Sequence, residues 1–533
     1  MNIKQAKQEI KNTVNAYLLK DGQGEYMIPE IRQRPILLMG PPGIGKTQIM
    51  EQIARECRIG LVSYTITHHT RQSAVGLPFI REEEFGGKKY SVTEYTMSEI
   101  IASVYRVIQT TGLKEGILFI DEINCVSETL APTMLQFLQC KTFGNQKIPN
   151  GWLIVAAGNP PEYNKSVREF DMVTLDRVRK IEVEADFAVW KEYAKSVSVE
   201  NSLISYLQLR PKNFYRIETD VDGMRFVTAR GWEDLSSLIK VYAQLEIPVT
   251  EDVILEYLQH EEVAKDVSAY LDLYKKYQDN YGIEQILNGN VSPDIYARLD
   301  KASFDERLSV VNLLLSGLNG YFRTVAELHY IADKWYAFLK DYQKRIQQSG
   351  HNPYTLYAEM VNEVESRLML EQKSGFLAKE ERIRIEKFCR YLKEVSFEEK
   401  ESATDMAENS VGEKESATDM AENSLGEKES AFDMARASFE ELTAQLEQME
   451  EETLLALEHA FLFVEQAFRT GSEMVVFVTE LTMGAESAAF LAENECEKYL
   501  QYNKELMVGT KKAELLSALQ EDSIREQEHM TDF

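Results

Sequence analysis

The stretch Pro35-Ile36-Leu37-Leu38-Met39-Gly40-Pro41-Pro42-Gly43-Ile44-Gly45-Lys46-Thr47 decides the fold. Its second part fits the phosphate-loop pattern G-x-x-x-x-G-K-[ST] with no substitution. The apolar run before it reads as a buried strand, and Thr47 to Arg55 reads as the helix that follows. Between them, glycines let backbone N–H groups curl around anionic oxygens, and the helix N-terminus adds favourable dipole potential. Lys46 is placed to reach the β- and γ-phosphates, and the Thr47 hydroxyl to ligate a magnesium ion. The expected nucleotide contacts are Gly40, Pro41, Pro42, Gly43, Ile44, Gly45, Lys46, Thr47 and Gln48. A Gly/Pro turn that happens to hold a lysine is the bland alternative, and the full spacing with both flanks weighs against it.

Outward from this loop, apolar runs of strand length alternate with helical segments. The runs are Ile36–Met39, Leu61–Ile66, Gly116–Ile120, Trp152–Ala157 and Lys180–Ala185. Near-continuous apolar strands separated by helices predict a parallel sheet buried on both faces. Phe79 to Tyr95, with Gly86-Gly87 at its middle, reads as a hairpin leading into a helix whose apolar face is Met97, Ile101, Val104 and Ile108. Beyond about residue 186 strand signals stop, and helical patterning runs to about 395.

The strand Gly116–Ile120 ends in Asp121-Glu122-Ile123-Asn124, two adjacent carboxylates at a carboxyl end, where open α/β sheets place ligands. One carboxylate is needed to hold the metal with its waters and another to polarise an attacking water. Neighbouring side chains on a strand face opposite ways, so Asp121 suits the metal and Glu122 the water. The metal set is therefore Thr47 and Asp121. Trp152–Ala157 runs into Gly158-Asn159-Pro160-Pro161, where an amide can orient water against a γ-phosphate. An Asn-Pro turn is the competing reading of Asn159.

Phosphate loop, Asp-Glu strand and Asn strand, followed by an Asp-Arg pair and a helical region, together resemble the AAA+ ATPases. More narrowly they resemble the MoxR-like and dynein-related branch, over roughly residues 26–270. The resemblance implies an α/β fold: a P-loop core with a five-stranded parallel sheet, followed by an all-α lid and a largely helical C-terminal extension. It implies ATP and Mg2+ as ligands, and a homo-oligomeric ring, a hexamer by preference, with ATP sites between subunits. In that scheme Asn159 falls at the first sensor. Arg177, in Leu175-Asp176-Arg177-Val178-Arg179, is placed like the arginine finger, and Arg230, in Thr228-Ala229-Arg230-Gly231, like the second sensor. The usual Arg-Phe at the finger is Arg177-Val178 here, so Arg179 stays open for that role. The implied work is remodelling or assembly of a protein partner. Two rivals are a nucleic-acid motor or GTP-using restriction-type subunit, and a scaffold that binds nucleotide without hydrolysing it. Intact Glu122 and Asn159 weigh against the second.

The 533 residues allow several domains, and the formal charge of −28 disfavours a nucleic-acid partner, which needs a basic face. Half that excess lies in residues 398–452, with 18 acidic and 4 basic side chains. There, Glu399 to Gly412 recurs as 413–426 with only Val411 replaced, by Leu425, and a partial third copy starts at Glu427. Each full copy is poor in apolar residues and ends in glycine, so a solvated, partly helical spacer is expected rather than a coiled coil. Downstream, Phe439, Leu442, Leu446 and Met449 recur at helical spacing. The register breaks at Glu450-Glu451-Glu452 and resumes at Leu454, Leu457, Phe461, Val464 and Phe468. The segments marked out are 1–30 (helix and loop), 31–186 (ATPase core), 187–300 (helical lid), 301–395 (helical), 396–438 (acidic repeats) and 439–533 (amphipathic helices).

Five scattered cysteines suit a reducing compartment, with neither disulfide framework nor zinc spacing. With no signal core and no apolar stretch long enough for a membrane span, the expectation is a cytoplasmic protein without membrane contact. His68-His69 offers no third ligand at matching spacing, so a metal role there is not expected.

Overall fold

The structure is a computed structural model that describes residues 1–68, 74–143, 146–163, 167, 170–220, 223–348, 352–375, 377–395, 417–469 and 471–506. It divides into two units. The first holds residues 1–194, 210–268 and 373–377, and the second residues 195–209, 269–372 and 378–533.

In the first unit, five strands form one parallel sheet: β1 (Ile36–Met39), β2 (Gly60–Thr65), β5 (Gly116–Asp121), β8 (Trp152–Gly158) and β9 (Arg179–Glu182). Their order across the sheet is β2-β5-β8-β1-β9. Period-two alternation sorts their side chains between two cores. Ile36, Leu38, Ile117, Phe119, Leu153, Val155 and Ala157 face one core, which takes in Ile10 and Val14 of α1 (Ile3–Leu18) and Met50 and Ile53 of α2 (Lys46–Cys57). Leu37, Leu118, Ile120, Trp152, Ile154 and Ala156 face the other. It includes Ile101 and Val104 of α3 (Glu99–Thr111) and Phe137 of α4 (Ala131–Cys140). Burial on both faces explains why these strands read as unbroken apolar runs. The Trp152 ring packs on the starts of two neighbouring strands. A Cβ on Gly60 would lie 2.9 Å from that ring and one on Gly116 2.7 Å, so both glycines admit the indole.

The hairpin expected at Phe79–Tyr95 is present as β3 (Pro78–Phe85) paired with β4 (Lys88–Tyr95). Two short strands, β6 (Thr142–Phe143) and β7 (Gln146–Lys147), follow α4. Beyond the sheet come α5 (Met172–Arg177, just before β9) and α6 (Phe187–Ser196). Residues 201–209 form α7, which belongs to the second unit.

The segment read as purely helical contains a further hairpin, β10 (Arg216–Asp220) with β11 (Gly223–Val227), so strands do not stop at 186 and the lid is not all-α. Its strands are short and carry Arg216, Glu218, Asp220 and Arg225, so they lack the apolar run that marked the buried strands. Helices α8 (Ala229–Gln244) and α9 (Glu251–Leu258) follow, the first opened by Thr228, whose hydroxyl accepts from the Gly231 N–H.

The second unit is helical: the end of α10 (Glu261–Tyr281), then α11 (Ile283–Leu287), α12 (Pro293–Leu299), α13 (Phe304–Gln348), α14 (Pro353–Ser374), α15 (Lys379–Glu394), α16 (Ala417–Phe468), α17 (Ser472–Met483), α18 (Ala485–Glu493) and a helix over 497–506. Of the acidic repeats, 396–416 lie outside the described residues. The next stretch opens α16, which runs on through Glu450-Glu451-Glu452 without a break. Phe439, Leu442, Leu446, Leu457, Phe461 and Val464 of that helix pack into the unit's own core with Leu314, Phe322 and Trp335 of α13. Among the described residues no single helix is long and apolar enough to cross a membrane.

Candidate nucleotide-binding site

Strand register brings the sequence-marked residues to one edge. Met39 lies beside Gly158, and Thr65 beside Asp121, so the chain leaves β1, β5 and β8 at a common end. That end carries Gly40, Asp121 and Asn159. The loop after β1 closes with Gly43 at φ +74° and Gly45 at φ +90°, the left-handed region a side chain resists. Gly45 is also the residue from which α2 begins. A Cβ on Gly43 would meet Thr228 at 3.0 Å, so the start of α8 packs directly on the loop. Tyr215 donates to the Pro42 carbonyl over 2.9 Å and ties the chain ahead of β10 to the same loop.

Lys46 is buried, and its ammonium uses all three donors: to the carbonyls of Gly40 at 2.7 Å and Pro41 at 2.8 Å, and to Asn159 Oδ1 at 2.7 Å. Burial lowers its pKa to about 8, with Asp121 opposing and the Arg230 charge adding to the fall. Thr47 donates to Asp121 Oδ2 over 3.1 Å. A hydroxyl and a carboxylate that close form a hard-oxygen pair fit to hold Mg2+.

Glu122 stands apart from that pair. Its backbone is left-handed at φ +57°, its N–H donates to Asp121 Oδ1, and its Oε2 accepts from the Thr67 hydroxyl at 2.9 Å. Two residues that sequence reasoning gave no role complete the arrangement. Thr67 holds the Glu122 carboxylate. Asn124 is buried and donates through Nδ2 to the Asn159 carbonyl at 2.7 Å, while its Oδ1 has no hydrogen-bond partner among the described residues. That side chain also fills the space where a Gly158 Cβ would sit, 2.5 Å from Oδ1. Asn124 was visible only as the last letter of Asp-Glu-Ile-Asn. Thr67 carried no local signal.

These groups border one cavity of about 320 Å³, which takes in the loop from Pro42 to Gln48, Asp121, Glu122, Asn159 and Arg230. Val189, Trp190 and Phe214 line the same cavity, and the two rings lie 5.1 Å apart, an apolar surface suited to a flat base. Tyr193 of α6 and Glu233 of α8 join across it by a 2.9 Å hydrogen bond. Gly40, Pro41, Arg177 and Arg179 are not among the cavity's lining residues. Arg177 is exposed at the end of α5 and donates to Gln139 of α4. Arg179 pairs with Glu9 and Thr13 of α1. Of the sequence-marked pair at 68–69, His68 ends a short turn after β2, and His69 lies outside the described residues.

Residues 36–175, which hold four of the five sheet strands and the side chains from the loop to Asn159, match the family model for the ATPase family associated with various cellular activities (AAA). Over this segment the chain is similar to AAA domains. No curated protein matches the chain. The match supports a nucleotide-dependent ATPase activity of the general AAA+ kind, with ATP and Mg2+ as the ligands that AAA domains generally bind.

Proposed function

We propose that the chain is a MoxR-like AAA+ ATPase that hydrolyses ATP between the subunits of a homo-oligomeric ring and uses the resulting motion to remodel or assemble a protein partner in the cytoplasm. The observation that carries this reading is the meeting of Lys46, the Thr47–Asp121 pair, Glu122 and Asn159 at one edge of the sheet, around one cavity.

Each residue has a task its chemistry fits. Lys46 exchanges its carbonyl partners for phosphate oxygens, which restores the charge that burial disfavours. The loop N–H groups cradle the phosphates. Thr47 and Asp121 hold Mg2+, which neutralises charge on the phosphates as a Lewis acid. Glu122 turns from Thr67 to accept a proton from the attacking water, and Asn159 positions that water as a neutral donor and acceptor. Asn124 fixes the backbone of Asn159. Arg230, at the first turn of α8, brings a second cation to the phosphates and links their presence to the position of the lid.

Arg177 cannot serve this cavity from where it stands, and it is exposed; a role at a neighbour's ATP suits it. Arg179 is bound to α1, which leaves Arg177 the better of the two.

The test is complementation. Arg177→Ala and Glu122→Gln should each bind ATP and turn it over poorly, with losses on the order of 10³ or more for a finger residue. Mixed together they should recover activity, because one interface in the mixture pairs an intact Glu122 with an intact Arg177. Recovery should rise with protein concentration through the range in which subunits associate. A fully active Arg177→Ala protein, or a mixture that stays dead although co-assembled, would remove Arg177 from the shared site.

A further inference from the structure

Away from the nucleotide cavity, three helices of the second unit bring an imidazole and two carboxylates together. His329 of α13 has its Nε2 2.7 Å from Glu450 Oε1 of α16 and 3.5 Å from Glu493 Oε2, the last residue of α18. One ligand atom from each of the three lies within 4.8 Å of the others. The helices that carry them are held by packing: Val325, Leu446 and Phe490 are buried, each three or four residues from one of the three groups. The ring of Phe490 lies 5.3 Å from that of Phe322, which joins α18 to α13 beside the cluster.

A simple ion pair does not account for this arrangement. Nε2 carries at most one proton, and two carboxylates compete for it as acceptors. With His329 protonated, the trio still holds a net charge of −1, and with it neutral, −2. The charge is poorly placed for the helices too, because Glu493 sits at a C-terminus, where the dipole favours cations. Glu451 and Glu452 follow Glu450 directly and add to the local negative charge. A divalent cation would satisfy all three groups at once.

We propose that His329, Glu450 and Glu493 form a Zn2+ site that ties α13, α16 and α18 together. An imidazole with two carboxylates is a nitrogen-and-oxygen donor set suited to first-row divalent metals, with Zn2+ near the top of their affinity order, whereas Mg2+ and Ca2+ prefer oxygen alone. Bonds of about 2.1 Å in a tetrahedron put ligand atoms roughly 3.4 Å apart. The His329–Glu493 separation of 3.5 Å already meets that value, and metal binding would draw Glu450 away from the ring, from which it now lies 2.7 Å. Water takes the fourth position, since Glu493 faces solvent. The site is structural in this reading and takes no part in phosphate chemistry.

The test uses the full chain without nucleotide, stripped of metal by chelator, and Zn2+ alone as the probe. The wild-type protein should bind one equivalent that His329→Ala and Glu493→Gln each weaken at least tenfold, and the metal should raise its melting temperature by several degrees. Asp121→Asn should keep both effects, which separates this site from the nucleotide cavity. Glu493→Gln, at an exposed position, guards against a variant that fails to fold. Wild-type Zn2+ affinity and stoichiometry in both His329→Ala and Glu493→Gln would overturn the proposal, as would a wild-type melting temperature indifferent to Zn2+.

Discussion

Lys46 and Glu122 each hold hydrogen bonds that the proposed mechanism would exchange. Lys46 spends its three donors on two carbonyls and an amide oxygen, none of them charged, and burial lowers its pKa to about 8. A bound triphosphate raises that pKa again, so above about pH 8 binding must take up a proton. The affinity for a non-hydrolysable ATP analogue should therefore be flat below pH 8 and fall above it, by up to tenfold per pH unit. Calorimetric titration between pH 7 and 9.5 would show it, and an affinity constant across that range would mean Lys46 is not the group that meets the phosphates. Glu122, in turn, accepts a hydrogen bond from Thr67 that under the proposed mechanism would have to be given up before the carboxylate could act as base. Hydrogen bonds to charged groups contribute roughly 1.5–3 kcal/mol. Thr67→Val should accordingly raise basal ATP turnover, by roughly ten- to a hundredfold if the whole bond is recovered, and a fall instead would mean that Thr67 aims Glu122 productively. The motif residues were legible in the sequence because phosphate chemistry fixes their types and spacing. Thr67 and the role of Asn124 were not, because a contact between residue 67 and residue 122 exists only once β2 and β5 lie side by side.

At the scale of elements, legibility followed burial. The five sheet strands announced themselves because both of their faces meet apolar cores, leaving unbroken runs such as Ile36–Met39 and Trp152–Ala157. The hairpin of β10 and β11 left no such trace, as charged side chains occupy four of its ten strand positions. In α16 the acidic triplet at 450–452 looked like a break, yet the helix continues, since glutamate costs a helix little, with Glu451 and Glu452 exposed and Glu450 bonded to His329. The buried part of that helix and the repeat that precedes it in sequence should differ sharply in importance. Leu457 is fully buried among the aromatic side chains of the second unit, so Leu457→Ala should cost about 2–5 kcal/mol, read as a lower denaturation midpoint. Removing 399–412, one whole copy of the repeat, should leave melting temperature and basal ATPase rate nearly unchanged. A large loss of stability on that deletion would show that the repeat is packed and not a spacer.

For the whole molecule, charge and composition act as filters on partners. A net charge of −28 makes non-specific nucleic-acid binding unfavourable, so duplex DNA should neither bind at physiological salt nor raise the ATPase rate. What the fold supplies instead is a cavity lined by Arg230 of α8, with Thr228 packed on the phosphate loop, and under the proposed mechanism the state of the nucleotide would set the position of α8. This supports conformational work as the product of hydrolysis. It depends on one premise, that the cavity hydrolyses ATP and Glu122 is the base. The direct measurement is phosphate release from Mg·ATP by the wild-type chain and by Glu122→Gln, at protein concentrations that saturate assembly and with ATP occupancy matched by a binding assay. The account predicts steady release by the wild type and a loss of at least a hundredfold in Glu122→Gln, with ATP binding retained. Equal rates from the two proteins, or no release from the wild type although ATP is bound, would contradict it.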